Sequence, residues 1–237
     1  MRIALLFWLW LASAAQADPC RQALVLALDV SGSVNEVEFS QQINGLASAL
    51  DHPVVRNLIL LSDGPPVKLA VFEWSSRNHQ YIIQPWITLD SDAALDQAVL
   101  QIRRHRKVRA GLRTALGTAL GFASAMLDQH TDCWTRTIDV SGDGENNIGP
   151  TPIDAYRAAT FDMITVNALV VVDSKTEAGD TINQSAAMLE DYYRREVIHG
   201  PNAFAMIADG YEDYARAMRL KLIKELSPIV LGQLNAR

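Results

Sequence analysis

The stretch Ala23-Leu24-Val25-Leu26-Ala27-Leu28-Asp29-Val30-Ser31-Gly32-Ser33 decides how this chain reads. Its apolar residues run without a break until Asp29, where side chains that carry oxygen take over. An unbroken apolar run fits a strand buried on both faces of a sheet, because a strand with one wet face alternates. Asp29, Ser31 and Ser33 occupy alternate positions, so in an extended turn their oxygens can point the same way. Gly32 lets the backbone bend between the two serines. One charged and two neutral oxygen donors make a hard set, suited to Mg²⁺, Mn²⁺ or Ca²⁺ and not to zinc.

Downstream, helix and strand patterns alternate. Asn35 to Leu50 reads as a helix capped by Asn35, with Glu36 and Glu38 in its first turn. Val37, Ile43, Leu46, Ala47 and Leu50 are expected on its apolar face. Pro53 marks a break, and Ser62-Asp63-Gly64-Pro65-Pro66 reads as a turn. Lys68–Glu73 and Tyr81–Ile87 read as neighbouring strands, Asp92–Arg104 and Thr114–Leu127 as helices, and Arg136–Val140 as a strand. Asp154–Thr160 reads as helix, Ile164–Val172 as strand, Met188–Glu196 as helix, Ala203–Ala208 as strand and Tyr211–Leu226 as a closing helix. Trp74, Trp86 and Trp134 are expected in core or strand-end packing, and His199-Gly200-Pro201-Asn202 is expected to shape the approach to the last strand. Strands separated by helices predict one α/β domain with a largely parallel sheet, whose site lies at the carboxyl ends of the strands.

Composition narrows the function. The chain has 237 residues, 49% of them apolar and 20% charged, with a net charge of −6. That is globular and acidic, a poor match to nucleic-acid binding, which needs clustered cations. Two cysteines exclude a disulfide-dense miniprotein or a four-cysteine zinc module, and the five scattered histidines form no zinc-hydrolase motif. Met1-Arg2, the apolar run Ile3 to Ala12 and Ala15-Gln16-Ala17 read as an export signal cleaved after Ala17. That division makes residues 1–17 a signal peptide and residues 18–237 a single domain. An uncleaved anchor or a buried helix is the alternative reading. The run falls short of the ~20 apolar residues that span a bilayer, and no later segment reaches that length. The expected location is an oxidising one, a bacterial periplasm or the exterior.

Two further segments join the first. Gly111-Leu112-Arg113-Thr114 places a hydroxyl at a loop-to-helix junction, and Ser141-Gly142-Asp143-Gly144-Glu145-Asn146-Asn147 follows a buried strand. Taken singly, each has an ordinary reading: Asp29-x-Ser31-x-Ser33 as a cap and turn, Thr114 as a helix cap, Asp143 as a tight turn. Together and in this order, Asp29, Ser31, Ser33, Thr114 and Asp143 resemble the metal-ion-dependent adhesion site of the von Willebrand factor A (VWA) family. The likeness covers about residues 21–226. The run Ile138 to Asn147, with Glu73-Trp74, is further similar to uncharacterised secreted bacterial proteins of this fold.

The resemblance implies a three-layer, doubly wound, VWA/Rossmann-like α/β fold. Its six-stranded sheet would run in the order 3-2-1-4-5-6, helices on both faces, with the third strand antiparallel. It implies a divalent cation, Mg²⁺ first and Mn²⁺ or Ca²⁺ next. Asp29, Ser31, Ser33, Thr114 and Asp143 would be the ligands, directly or through water. An Asp or Glu of a partner protein would fill the open position. The expected function is a secreted, metal-dependent, adhesion-type protein-binding module and not an enzyme. A metal-assisted hydrolase using Glu145 or His79 as base, or a scaffold without metal function, are the alternatives. Arg103-Arg104-His105-Arg106-Lys107-Val108-Arg109 reads as a solvated helix end, or as a rim that attracts an acidic partner. In the family's strand order the first and fourth strands are neighbours, so Cys20 and Cys133, each just ahead of one of them, are expected to be bonded.

Overall fold

β1 (Gln22–Asp29) is buried along its whole length because it has a parallel neighbour on each side: β2 (Val67–Trp74) and β4 (Thr135–Gly142). The computed structural model describes residues 20–227, apart from 62–63, 109–110, 158–160 and 173–178. The export signal, and Asp63 of the expected turn, lie outside the described residues. β3 (Gln80–Leu89) runs antiparallel to β2, whereas β5 (Ile164–Val172) and β6 (Ala205–Asp209) extend the sheet in parallel beyond β4. The order is β3-β2-β1-β4-β5-β6.

Alternation along β1 serves two cores. Leu24, Leu26 and Leu28 pack under α1 (Glu36–Leu50), α2 (Pro53–Ile59), α3 (Asp92–Arg104) and α7 (Tyr214–Leu226). Ala23, Val25 and Ala27 face α4 (Leu116–Leu127), with α5 (Pro152–Tyr156) and the end of α6 (Gly179–Tyr192) on the same side. Both faces are therefore covered, giving the three-layer α/β fold, and a parallel sheet requires that cover.

Some local expectations are corrected. Pro53 does not only interrupt: it is the first residue of α2, where its missing N–H costs nothing, and His52 caps that helix. Val37 is 67% exposed, turned away from the apolar face of α1. Trp134 is 68% exposed at the start of β4, so it does not pack, whereas Trp74 is fully buried. α4 begins at Leu116, because Ala115 has the non-helical backbone of a cap (φ −100°, ψ 61°); its N–H donates to Ser75 O at 2.7 Å. α6 ends in a single π turn over Tyr193–Val197 where a simple helix was expected. The His199–Asn202 turn does shape the approach to β6: His199 pairs with Val166, and Gly200 and Asn202 have φ of +87° and +60°.

At the amino-terminal edge, Cys20 and Cys133 form a disulfide with Cα atoms 4.5 Å apart. The parallel pairing of β1 with β4 puts them side by side, and Trp134 N donates to Cys20 O at 2.9 Å.

Candidate functional site

Asp29 ends β1 at the carboxyl edge and is fully buried. Its Oδ1 accepts the N–H of Ser31 at 2.7 Å, which sets the turn into Ser31-Gly32-Ser33. Ser31 Oγ and Ser33 Oγ lie 3.3 Å apart, and Ser33 Oγ donates to Asp143 Oδ1 at 2.6 Å. Tyr211 OH donates to Asp143 Oδ2 at 3.3 Å from the turn ahead of α7. Asp29, Ser31, Ser33 and Asp143 thus form one cluster over adjacent strand ends. Gly142 is required beside it: a Cβ there would stand 2.5 Å from Tyr193 OH and 3.1 Å from Asp29 Oδ2.

Thr114 is brought to the same edge by a different route. Its N–H donates to Asn147 Oδ1 at 2.9 Å, its Oγ1 accepts from Asn147 Nδ2 at 3.3 Å, and its carbonyl accepts Asn147 N at 2.9 Å. The Thr114 loop is therefore locked to the loop that carries Asp143. No hydrogen bond joins Thr114 directly to Asp29, Ser31, Ser33 or Asp143 among the described residues.

The electrostatics of the cluster are unbalanced. Burial, and then the neighbouring Asp143 carboxylate, push Asp29 up to about 8. Burial likewise raises Asp143, against the hydrogen bonds from Ser33 and Tyr211. Asp29 Oδ2 is buried with no hydrogen-bond donor among the described residues. Two desolvated carboxylates and an orphaned oxygen, lined by hydroxyls, need either a proton or a cation. The donor set is all oxygen, so it fits a hard divalent ion.

A second polar centre stands beside the first, built from residues that the sequence reading quoted separately and did not bring together. Glu73 is fully buried on β2, paired in register with Leu28. His79 Nε2 lies 3.0 Å from its Oε1, His105 Nε2 lies 2.8 Å from its Oε2, and Val108 N donates to Oε1 at 3.3 Å. Ser75 Oγ accepts Gly111 N at 3.1 Å, so the end of β2 holds both halves of the segment leading to Thr114. The sequence signals were a charged residue at the end of an apolar strand and the resemblance that Glu73-Trp74 carries. His79, weighed as a base, is engaged by Glu73, and Glu145 is exposed. At the opposite edge His130, Asp132 and Cys133 come close together, but Cys133 is in the disulfide and Lys68 Nζ is 3.6 Å from Asp132. That group offers no thiolate to a metal.

Solved structures of similar fold include proximal thread matrix protein 1 from mussel byssus with a zinc-occupied MIDAS motif. It matches with 16% identity and a TM-score of 0.57, over 88% of this chain and 48% of that one. A von Willebrand factor type A protein from Catenulispora acidiphila matches with 17% identity and a TM-score of 0.56, over 87% and 43%. The open conformation of the pilus adhesin SpaC from Lactobacillus rhamnosus GG matches with 14% identity and a TM-score of 0.60, over 89% and 31%. This chain thus spans about half the length of the byssus protein and less of the other two. At these identities the likeness concerns the fold, which is that of a VWA domain. Comparison with curated proteins finds no match. The family model for a protein of unknown function, DUF1194, matches residues 19–230, nearly the whole described chain. The chain has the fold of a VWA domain and belongs to the DUF1194 family.

Proposed function

We propose that the protein is an exported, metal-dependent protein-binding module whose partner lays an Asp or Glu on a divalent cation. The observation that carries this reading is the pairing of buried Asp29 with half-buried Asp143, with Asp29 Oδ2 left without a donor among the described residues. Asp29, Ser31, Ser33, Asp143 and Thr114 would hold the ion, either directly or through water. When bound, the ion would supply a positive charge that neutral hydroxyls leave largely uncompensated, and an acidic side chain could satisfy it. The residues themselves set the position: Ser33 fixes one oxygen of Asp143, Tyr211 the other, and Asn147 orients Thr114. Mg²⁺ is the proposed occupant. Binding without turnover is proposed because His79 is engaged by Glu73 and no nucleophile–base pair stands beside the cluster among the described residues.

Export is proposed from the amino-terminal sequence, and the disulfide supports an oxidising location. No helix among the described residues is long and apolar enough to cross a membrane. The neighbouring adhesin and the zinc-occupied byssus protein support the adhesion-type, metal-binding reading. Two measurements test it. Calorimetry should find one Mg²⁺ per chain, lost in Asp29→Ala. Affinity capture from periplasmic extract should recover a partner with Mg²⁺ present and release it in EDTA. Equal Mg²⁺ binding by wild type and Asp29→Ala, or a complex indifferent to EDTA, would count against the reading.

A further inference from the structure

Between α1 and the segment that follows α3 runs a cleft of about 350 Å³. One wall carries Glu36, Ser40 and Asn44, the other Arg103, Arg106 and Lys107. Lys107 links the cleft to the loop that leaves β1 after Ser33. Lys107 Nζ donates to Val34 O in the loop after Ser33, and its charge acts on the Asp29 carboxylate.

Cations prevail there although the whole chain carries a net charge of −6. Arg103 is paired with Asp51 at 3.1 Å. Arg106 is exposed and donates only to carbonyls of its own segment, those of Arg103, Arg104 and His105 at 3.4, 3.4 and 3.1 Å. Neither Arg106 nor Lys107 has a carboxylate partner among the described residues. A local positive field on an acidic protein attracts an anion to that place and repels it elsewhere.

Apolar side chains stand beside the loop after β1. Leu112 is 82% exposed, although its backbone lies so close to Gly32 that a Cβ on Gly32 would meet Leu112 O at 2.9 Å. Val37, in the first turn of α1, is 67% exposed. A nucleic acid or sulfated polysaccharide would leave these uncovered, whereas a peptide with mixed side chains would not.

We propose that the cleft is a second docking point for an acidic protein segment, which lays one carboxylate on the cation at Asp29 and Asp143, a second against Arg106 and Lys107, and an apolar side chain over Leu112. The proposal rests on the metal-dependent reading above and adds the partner chemistry. The basic run is then a recognition element, not only a solvated helix end.

The test is selection of random twelve-residue peptides displayed on phage against the immobilised protein in Mg²⁺ at 0.15 M NaCl. Enriched sequences are then synthesised and titrated against wild type, Arg106→Glu and Asp29→Ala. The expected peptides carry two acidic residues and an apolar one. They lose binding in EDTA and to Asp29→Ala, and bind Arg106→Glu about tenfold more weakly, whereas Mg²⁺ affinity is unchanged in that variant. Metal-dependent peptides indifferent to Arg106→Glu would overturn the cleft while leaving the metal reading standing. Peptides sensitive to Arg106→Glu but bound equally in EDTA would overturn the metal reading and with it the joint site. Failure to enrich acidic pairs would also overturn the proposal.

Discussion

Ser33 Oγ donates a 2.6 Å hydrogen bond to Asp143 Oδ1, tying the loop after β1 to the loop after β4 across 110 residues of sequence. The bond follows from register. Ala27 pairs with Val140 and Leu28 with Ser141, so both strands leave the sheet at one height and their loops meet. The contact leaves Asp29 close by with an oxygen unserved, and this decides how the site should respond to substitution.

Asp29→Asn replaces a buried carboxyl whose charged form burial disfavours, and keeps the shape. In EDTA this variant should melt no lower than wild type. Saturating Mg²⁺ should stabilise wild type by about 2.7 kcal/mol at a hundredfold excess over Kd, and should leave the variant unmoved. Differential scanning calorimetry in the two buffers checks both outcomes. An equal metal-induced gain in the variant would remove Asp29 from the ligand set.

Glu73 holds His79, His105 and the N–H of Val108 in a buried setting. Truncation to Ala strands those donors, and loss of a buried hydrogen-bonded centre of this kind costs roughly 2–4 kcal/mol. Urea unfolding of Glu73→Ala should show that loss. Glu73→Gln, which keeps one acceptor, should lose less. A variant as stable as wild type would show that the two imidazoles have other partners.

A buried group under α7 should set a pH dependence that does not involve the metal site. Lys221 Nζ lies 2.6 Å from Asp139 Oδ2 and 2.7 Å from Glu225 Oε1, so one ammonium serves two carboxylates. Burial, and then Glu225, push Asp139 up to about 8. A carboxyl raised on folding binds its proton more tightly in the native state than in the unfolded chain. Its contribution to stability is therefore complete below the unfolded value near 4 and declines as pH rises toward about 8. Metal-free wild type should lose stability between pH 5 and 8, and Asp139→Asn should flatten that slope by roughly 1 kcal/mol or more. Urea midpoints across the range measure it, and parallel slopes in the two proteins would refute the assignment.

The Cys20–Cys133 bond closes a loop over a sequence separation of 113. In the chain-entropy model such a loop stabilises by at most ~4.7 kcal/mol, and native-state effects reduce the gain. Reduction should lower the melting temperature and leave Mg²⁺ affinity intact, because the bond lies at the amino-terminal edge, opposite the site. Calorimetry with and without reductant gives both numbers. A matching loss of Mg²⁺ affinity would show the two edges to be coupled.

Much of this was legible in the chain itself. The unbroken apolar run of β1 and the strongly apolar β5 required cover on both faces, and that requirement implies a parallel sheet between helix layers. The helix Asp92–Arg104 and the strand Ile164–Val172 were readable to the residue, since periodicity and caps are local. The order of Asp29, Ser31, Ser33, Thr114 and Asp143 marked the edge where they gather, because loops that follow parallel neighbouring strands emerge together. The disulfide was expected only through the strand order that the VWA resemblance implies, which makes the first and fourth strands neighbours.

What needed the tertiary structure was everything that depends on which side chains face each other across separate segments. Val37 and Trp134 look apolar and inward in the sequence, yet the helix phase and the strand end leave them in solvent. Tyr211 reaches Asp143, and Asn147 orients Thr114, through contacts that no spacing encodes. Glu73 is one acid within an apolar strand until folding brings two histidines and a loop N–H onto it. Sequence patterns fix burial along one element, because hydrophobicity is a property of each residue. The partners of a buried charge are fixed only when the sheet register and the loops bring distant residues within hydrogen-bond range.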